Sequence, residues 1–312
     1  MAWQKYTAQR LLQIIPIMIG VSIVVFLLIH IVPGDPARTL LGPQAHPEAV
    51  AALRVKLGLD RPLAEQYFVY VWGLLRGDLG QSLNYNISVA KLMANRWQPT
   101  IWLIINAAIL VIIITVPLAL AAARRPGGIA DGVVRIVALL GLGLPSFWIG
   151  MLLILSLGIK VNLFPVSGYG VGFTGHIYSM LLPSLTVAFS IAPITIRSLR
   201  MALIEAFDSE PVLATKAKGL SPSRTTWYAL RIAILPAVTV LGVNLGWLVG
   251  NTVVIEQLFG IPGLGSLMIE SIFSRDFPSV QIVALVFATL VVLVSLITDL
   301  TRAALDPRIE LG

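Results

Sequence analysis

Long uncharged apolar runs, separated by short charged segments, dominate the pattern of this 312-residue chain. Each run is close to the ~20 residues that a helix needs to cross the hydrocarbon core of a bilayer. A soluble protein of this size would instead repeat its apolar residues at helix or strand period. The pattern therefore predicts an all-α membrane protein, one transmembrane domain over 1–312, with six transmembrane helices at 11–32, 101–123, 136–159, 177–196, 232–255 and 280–298.

The distribution of basic residues predicts the orientation of these helices. An even number of spans places both termini on one side, and more than half of the 22 Lys and Arg residues lie on that side. The short loops on the other side carry only Lys160 and Arg275. Because basic residues accumulate in short cytoplasmic segments, we expect both termini in the cytoplasm, a large first external loop with a helical insertion at 33–99, and an external loop at 256–279 between spans five and six.

Composition agrees with a membrane location. Hydrophobic residues make up 57% of the chain and charged residues 12%, and the mean hydropathy is +0.89. The net charge of +7 is compatible with a nucleic-acid partner or with the orientation of membrane spans. Since the basic residues flank the spans, we expect contact with the lipid bilayer and none with nucleic acid. Cysteine is absent, which excludes disulfides and thiolate catalysis.

Sequence motifs for catalysis and metal binding are missing, and the one dinucleotide-binding match, Gly170-Val171-Gly172-Phe173-Thr174-Gly175, lies in a loop between two spans without the preceding strand that this motif needs. No Gly-x-x-x-x-Gly-Lys-Ser/Thr loop occurs, so the chain lacks the usual cradle for ATP phosphates. The three histidines, His30, His46 and His176, are far apart and lack metal-ligand spacing. We therefore expect a protein that is not an enzyme and that itself binds no metal and no cofactor. Energy for any transport must come from another chain or from an ion gradient.

The first external loop carries a short aromatic helix that includes Tyr70 and Trp72. This helix is too apolar to lie bare in water, so it lies on the membrane surface or against the bundle. It serves either as a lid over the external helix ends or as a docking surface for a delivery protein. On the second interpretation, Ser266 in the other external loop belongs to the same docking surface.

The cytoplasmic coupling segment, 197–231, has regular helix punctuation. Ser209 is placed to cap a short helix over 210–218, and Gly219 suits the left-handed conformation that ends it. Ser221 and Pro222 then start a second helix that continues into span five. The short helix presents apolar residues beside lysines, so it either docks into a cleft of a partner or rests on lipid headgroups.

Span five has two chemically different faces. Gly242, Gly246 and Gly250 recur every four residues and form a small-residue seam that permits close approach of another helix. Asn244 and Asn251 are seven residues apart and share a face roughly opposite the seam. The asparagines either line a substrate path or make hydrogen bonds between helices.

Several motifs, in order along nearly the whole chain, resemble those of one transporter family. The central motif is Ala214-Thr215-Lys216-Ala217-Lys218-Gly219-Leu220-Ser221, followed by Leu235-Pro236. The other matching segments are 28–36, 57–62, 76–82, 256–265 and 305–308. Together they resemble the dipeptide and oligopeptide (also nickel and glutathione) permease family of ABC importers, and specifically its first permease subunit. In the central motif the family's Glu-Ala-Ala falls on Leu213-Ala214-Thr215, so its acidic position is lost.

The resemblance implies a type I ABC importer permease fold in a prokaryotic inner membrane. It implies four kinds of partner: a second homologous permease, two cytoplasmic ATPases that bind the ATP and Mg²⁺, an external substrate-binding protein, and lipid. The cargo would be di- or oligopeptides or similar small solutes. The alternative is a self-contained secondary transporter or channel, although no span has a clearly central ionisable residue. The residues that would contact the ATPases are Glu210, Leu213, Ala214, Thr215, Ala217, Lys218 and Gly219.

Overall fold

The computed structural model describes residues 2–31, 36–42, 44–56 and 58–305. Regular structure in these ranges is helical, apart from one isolated antiparallel bridge between Gln81 and Ser88. The all-α prediction is therefore confirmed for this part of the chain. Residues 32–35 of the 28–36 motif, Leu57 of the 57–62 motif and residues 306–308 of the 305–308 motif lie outside the described residues.

Five helices in the described ranges are long and apolar enough to cross a membrane. In lipid, the backbone N–H and C=O groups must be bonded within the helix, which favours such long uninterrupted elements. The membrane-crossing part of the first helix is Gln9–Leu27. The five helices are α1 (Ala2–Ile31), α6 (Trp97–Arg124), α9 (Gly172–Phe207), α11 (Pro222–Leu258) and α13 (Phe277–Leu305).

The predicted third span, 136–159, is broken rather than continuous. Its residues fall in α7 (Ile129–Gly143) and α8 (Ser146–Leu153), and α8 continues as a π-helix over Ile154–Lys160. The two halves are bent by 109°. Leu144 is extended, at φ −102° and ψ 131°, because the ring of Pro145 disfavours helical conformation in the preceding residue. The described residues therefore contain five candidate spans, or six if this bent pair counts as one.

Short helices occupy the predicted external regions. The described part of 33–99 contains four of them: α2 (Pro36–Leu41), α3 (Pro47–Lys56), α4 (Leu63–Leu75) and α5 (Val89–Met93). The predicted loop at 256–279 is largely helical, because α12 (Leu264–Phe273) lies within it and α11 and α13 extend into it. The coupling segment contains α10 (Glu210–Ala217) between α9 and α11.

The core is built on α9, which packs against α6 and α11 and is the most buried of the long helices. Near α10 the core consists largely of alanines, among them Ala122, Ala206 and Ala233, so the helices approach closely there. Leucine, isoleucine and phenylalanine fill the core further along α9. The last helix, α13, packs between α1 and α11.

The glycine seam of α11 divides into contact and exposed positions. A Cβ added at Gly242 would collide with Thr298 of α13, whose own Cβ would lie 2.7 Å away. A Cβ at Gly246 would meet Val291 of α13 at 3.7 Å. Gly250 is exposed, and an added Cβ there meets no described atom within 4 Å. The predicted packing role therefore has a partner at Gly242 and Gly246, whereas at Gly250 the described residues provide none.

This division predicts opposite effects of the same substitution. Gly242→Ala should lower the melting temperature of the purified chain in detergent, because Thr298 and the α13 backbone must move away from the new methyl group. Gly250→Ala should leave the melting temperature unchanged or raise it, since alanine is the better helix former by about 1 kcal/mol. Equal melting temperatures for the two variants would contradict the contact between α11 and α13.

Candidate coupling site

Helix α10 sits between the ends of the two longest helices. Ser209 occupies the N-cap position, but its hydroxyl donates to the Ala206 carbonyl rather than capping α10. Gly219 has φ +70°, a left-handed conformation that glycine adopts without strain, and it follows the helix end as the sequence predicts. Leu220 then donates its N–H to the Thr215 carbonyl at 3.1 Å, and α11 begins at Pro222.

The inner face of α10 is anchored to the bundle. Val212 is fully buried within the alanine-rich core. The Thr215 hydroxyl donates to the Val212 carbonyl at 2.7 Å and lies 3.4 Å from the Thr225 hydroxyl in the first turn of α11. Lys216 donates to the carbonyl of Phe207 at the end of α9. Thr215 is thus an internal link between α10 and α11, not part of the exposed surface.

The outer face of α10 is a stripe of exposed residues. Glu210, Leu213, Ala214 and Ala217 follow the spacing i, i+3, i+4 and i+7, so they share one side of the helix. Leu213 is 46% exposed although it is apolar. Lys218 and Gly219 are exposed at the end of the stripe. The surface combines a small apolar patch with one acid and one base at its two ends.

A buried ion pair braces the bundle near α10. Asp131 of α7 is fully buried and accepts two hydrogen bonds from the Arg200 guanidinium of α9, at 2.5 and 2.8 Å. It also accepts from the Gly127 N–H at 2.9 Å and from Arg135 at 3.0 Å. These bonds fix the end of the α6–α7 connection to the part of α9 that leads into α10. In the sequence, this cluster is marked by Asp131, which lies four residues before Arg135 in a helix whose other residues are mostly apolar.

A second buried acid anchors the opposite end of α11. The Glu256 carboxylate is fully buried; it accepts from the Thr100 hydroxyl of α6 at 2.6 Å and from the Ser266 N–H at 3.1 Å. An added Cβ at Gly263 or Gly265 would strike this carboxylate, so both glycines permit its close contact with the chain. In the sequence, this site is marked by Glu256 at the end of a span and by the glycine-rich stretch that follows it, 260–265.

The predicted path residues occupy a half-buried position on α11. Asn244 donates to the Val240 carbonyl of its own helix at 2.7 Å, and Asn251 is also half-buried. Beside them runs an exposed stripe on which Val243 is 70% and Trp247 73% exposed. The asparagines therefore border the open side of α11 and lie away from the contact of Gly242 with α13.

The predicted external docking residues are not equivalent in the structure. Ser266 is buried, and its hydroxyl donates to the Ile261 carbonyl, so it is not available for docking as predicted. The Ser266 N–H bonds to Glu256 of α11, and Glu256 also bonds to Thr100 of α6, so the segment around Ser266 packs against both helices. Tyr70 is half-buried and faces α1, with its ring 5.8 Å from that of Phe26, whereas Trp72 is exposed.

Comparison with known proteins assigns the chain to a family. Residues 115–311 match the family described as "Binding-protein-dependent transport system inner membrane component". The chain belongs to this family of ABC importer permeases. Residues 3–104 match a second family, described as "Binding-prot-dependent transport system membrane comp, N-term".

Individual relatives extend the similarity over the full chain. Among them are the glutathione transport system permease proteins GsiC of Escherichia coli K12 and of Salmonella typhi, each 34% identical over 310 residues. The matches cover 98% of this chain and 99% of each relative. The resemblance drawn from the motifs is therefore confirmed. The chain is a multi-pass inner-membrane permease subunit of an ABC transporter, a transport component rather than an enzyme.

The Glu256 site gives a graded stability prediction. Glu256→Ala should destabilise the chain by about 2 kcal/mol or more, because the buried Thr100 hydroxyl and Ser266 N–H lose their acceptor. Glu256→Gln keeps one acceptor oxygen and should fall between this variant and wild type. Glu210→Ala, at an exposed acid, should have no effect. Melting temperatures in detergent test this order, and a stable Glu256→Ala variant would show that the carboxylate is not an anchor.

Proposed function

We propose that this permease couples ATP hydrolysis to import through α10. The observation that carries the proposal is the two-sided character of α10: Val212 and Thr215 hold it to the bundle, while Glu210, Leu213, Ala214 and Ala217 are exposed together. Such a surface suits insertion into an apolar cleft of a cytoplasmic ATPase, and a rim charge at each end favours one orientation. The partner ATPases, one for each of two permeases, would bind the ATP and Mg²⁺.

The proposal includes a topology. Six spans cross the membrane, with α7 and α8 together forming the third, and both termini lie on the cytoplasmic side with α10. Helices α2 to α5 and α12 then lie outside. The α6–α7 connection and the coupling segment both carry several basic residues. Because basic residues accumulate in short cytoplasmic segments, both segments belong on the cytoplasmic side.

Movement of α10 would reach the far side of the membrane through α11. Helix α11 has 37 residues, a length of about 55 Å along its axis. The Thr215–Thr225 contact joins its first turn to α10, and Glu256 near its other end contacts Thr100 and Ser266. A displacement of α10 would therefore shift the outer segment as well, changing the access of the bundle from one side to the other.

The substrate class that we propose is small peptides, including glutathione-like tripeptides. The motif resemblance favours di- and oligopeptides, and the relatives are named for glutathione transport. An external binding protein would deliver the cargo on the side opposite α10. Together with a second permease, Asn244 and Asn251 would border the path, because amide side chains bind peptide groups without requiring a charge on the substrate.

The coupling role predicts loss of the ATPases from defined variants. Gly219→Pro should abolish co-purification of the ATPases and uptake, because proline cannot adopt the φ of +70° found there. Ala214→Trp should do the same, since an indole does not fit a cleft shaped for alanine. Membrane insertion should remain normal in both.

Two matched variants serve as controls for this experiment. Gly219→Asn should retain the ATPases, because asparagine tolerates the left-handed conformation. Ala214→Ser should also retain them, since it barely changes the exposed surface. Normal uptake by Gly219→Pro and Ala214→Trp, with full co-purification of the ATPases, would reject the docking role of α10.

The path role predicts a different kind of damage. Asn244→Leu should reduce uptake, or uncouple ATP hydrolysis from it, while leaving assembly intact, because among the described residues the amide bonds to its own helix alone. Gly246→Leu should reduce assembly and melting temperature, since the larger side chain pushes α13 away. Val243→Leu, an exposed apolar neighbour, serves as the control. Intact uptake by Asn244→Leu would remove this residue from the path.

A further inference from the structure

A cavity of about 360 Å³ lies beside the outer end of α1 and is not used by the coupling mechanism. Its walls come from α1, from the α3–α4 region and from Gln281 in the second turn of α13. Apolar residues such as Phe26 and Val69 form one part of the wall. Basic and hydrogen-bonding side chains form the other part: His30, Lys56, Arg61, Gln66 and Tyr70.

The polar part of the cavity suits an anion. Lys56 forms no ion pair with the residues that the structure describes, and Arg61 pairs with Glu65, which does not line the cavity. Among the described lining residues none is acidic. The Tyr70 hydroxyl is buried and has no hydrogen-bond partner among the described residues. Burial and the neighbouring Tyr67 raise the pKa of Tyr70 to about 12, so the phenol keeps the proton that it can donate.

Contacts between α4 and α1 fix the depth of the cavity. The Tyr67 hydroxyl of α4 lies 2.8 Å from the Ser22 hydroxyl. Ser22 precedes Leu27, the last residue of the apolar part of α1, by five residues, or about 7 Å along the helix axis. Helix α4 therefore lies alongside the outer part of a membrane span. His30, three residues beyond Leu27, places the cavity at the level of the lipid headgroups.

The outward side of α4 continues this boundary with an apolar ridge. Phe68, Trp72 and Leu75 are 72%, 58% and 75% exposed and follow the spacing i, i+4 and i+7. Arg76 lies over the Trp72 ring at 4.8 Å from its centroid. At about 100° per residue this ridge lies on the side of α4 opposite Gln66 and Tyr70, which line the cavity, so the ridge is separate from the cavity and suits the apolar region beside a span.

We propose that the cavity between α1, α4 and α13 binds the phosphodiester headgroup of an outer-leaflet phospholipid. Lys56 and Arg61 supply positive charge, and the Tyr70 hydroxyl donates a hydrogen bond to a phosphate oxygen. This inference rests on the orientation given under the proposed function.

The test uses the purified full transporter and native mass spectrometry with phosphatidylglycerol. Lipid occupancy should fall about tenfold in Tyr70→Phe and in Lys56→Gln, because each loses one hydrogen bond or charge on the phosphate. Lys91→Gln, the same change on another outer helix, should bind like wild type. Diacylglycerol, which has the same chains without phosphate, should not replace the phospholipid.

A stability measurement distinguishes lipid binding from misfolding. In lipid-free detergent, Tyr70→Phe should melt at or above the wild-type temperature, because it removes a buried hydroxyl that has no partner. Added phosphatidylglycerol should raise the melting temperature of wild type but not of this variant. Equal stabilisation of both, or equal binding of diacylglycerol, would overturn the proposal.

A competing occupant of the cavity would give another result. If Tyr70→Phe and Lys56→Gln weaken capture of the substrate-binding protein while phosphatidylglycerol occupancy stays at the wild-type level, the cavity is a protein-docking site and the proposal is wrong. None of these measurements requires ATP or uptake. A transporter that fails the α10 experiments but shows the expected lipid binding would therefore separate this inference from the coupling function.

Discussion

Hydrocarbon offers no water to backbone N–H and C=O groups, and this constraint shapes each long element of the described chain. Five helices of the described chain are long enough to cross a membrane without interruption, and α11 extends further, from the coupling segment to Leu258. The sharp break at Leu144 and Pro145 occurs where proline leaves no helical alternative. Under the proposed coupling, a displacement of α10 would pass along the one uninterrupted helix α11.

The two ends of α11 are held by different chemistry. At the α10 end, small alanines let helices approach closely, and Thr215 and Val212 tie α10 to the bundle. At the other end, the carboxylate of Glu256 bonds to Thr100 and Ser266. A buried acid with satisfied hydrogen bonds fixes geometry more strictly than apolar packing does, since its partners have no substitute. Under the proposed coupling, the segment around Ser266 would therefore move together with this end of α11.

Exposed apolar surface divides the outside of the chain into zones of different use. The ridge of α4 lies beside the outer end of a span, while the exposed side of α11, with Val243 and Trp247, lies next to the two asparagines. The small patch on α10 is the only one of these three surfaces that combines an apolar centre with a charge at each end. Lipid, a second permease and an ATPase are the three environments that these surfaces suit.

The sequence by itself determined the helical class, the positions of most spans, the ends of α10 and the family, because apolar run length, proline and glycine act locally. The tertiary structure alone decided which side chains meet. Asp131 with Arg200, and Thr100 with Glu256, are 69 and 156 residues apart, and no local pattern encodes such pairs. For the same reason Ser266 is buried where an external loop was expected, and Gly250 is open where its spacing indicated a contact.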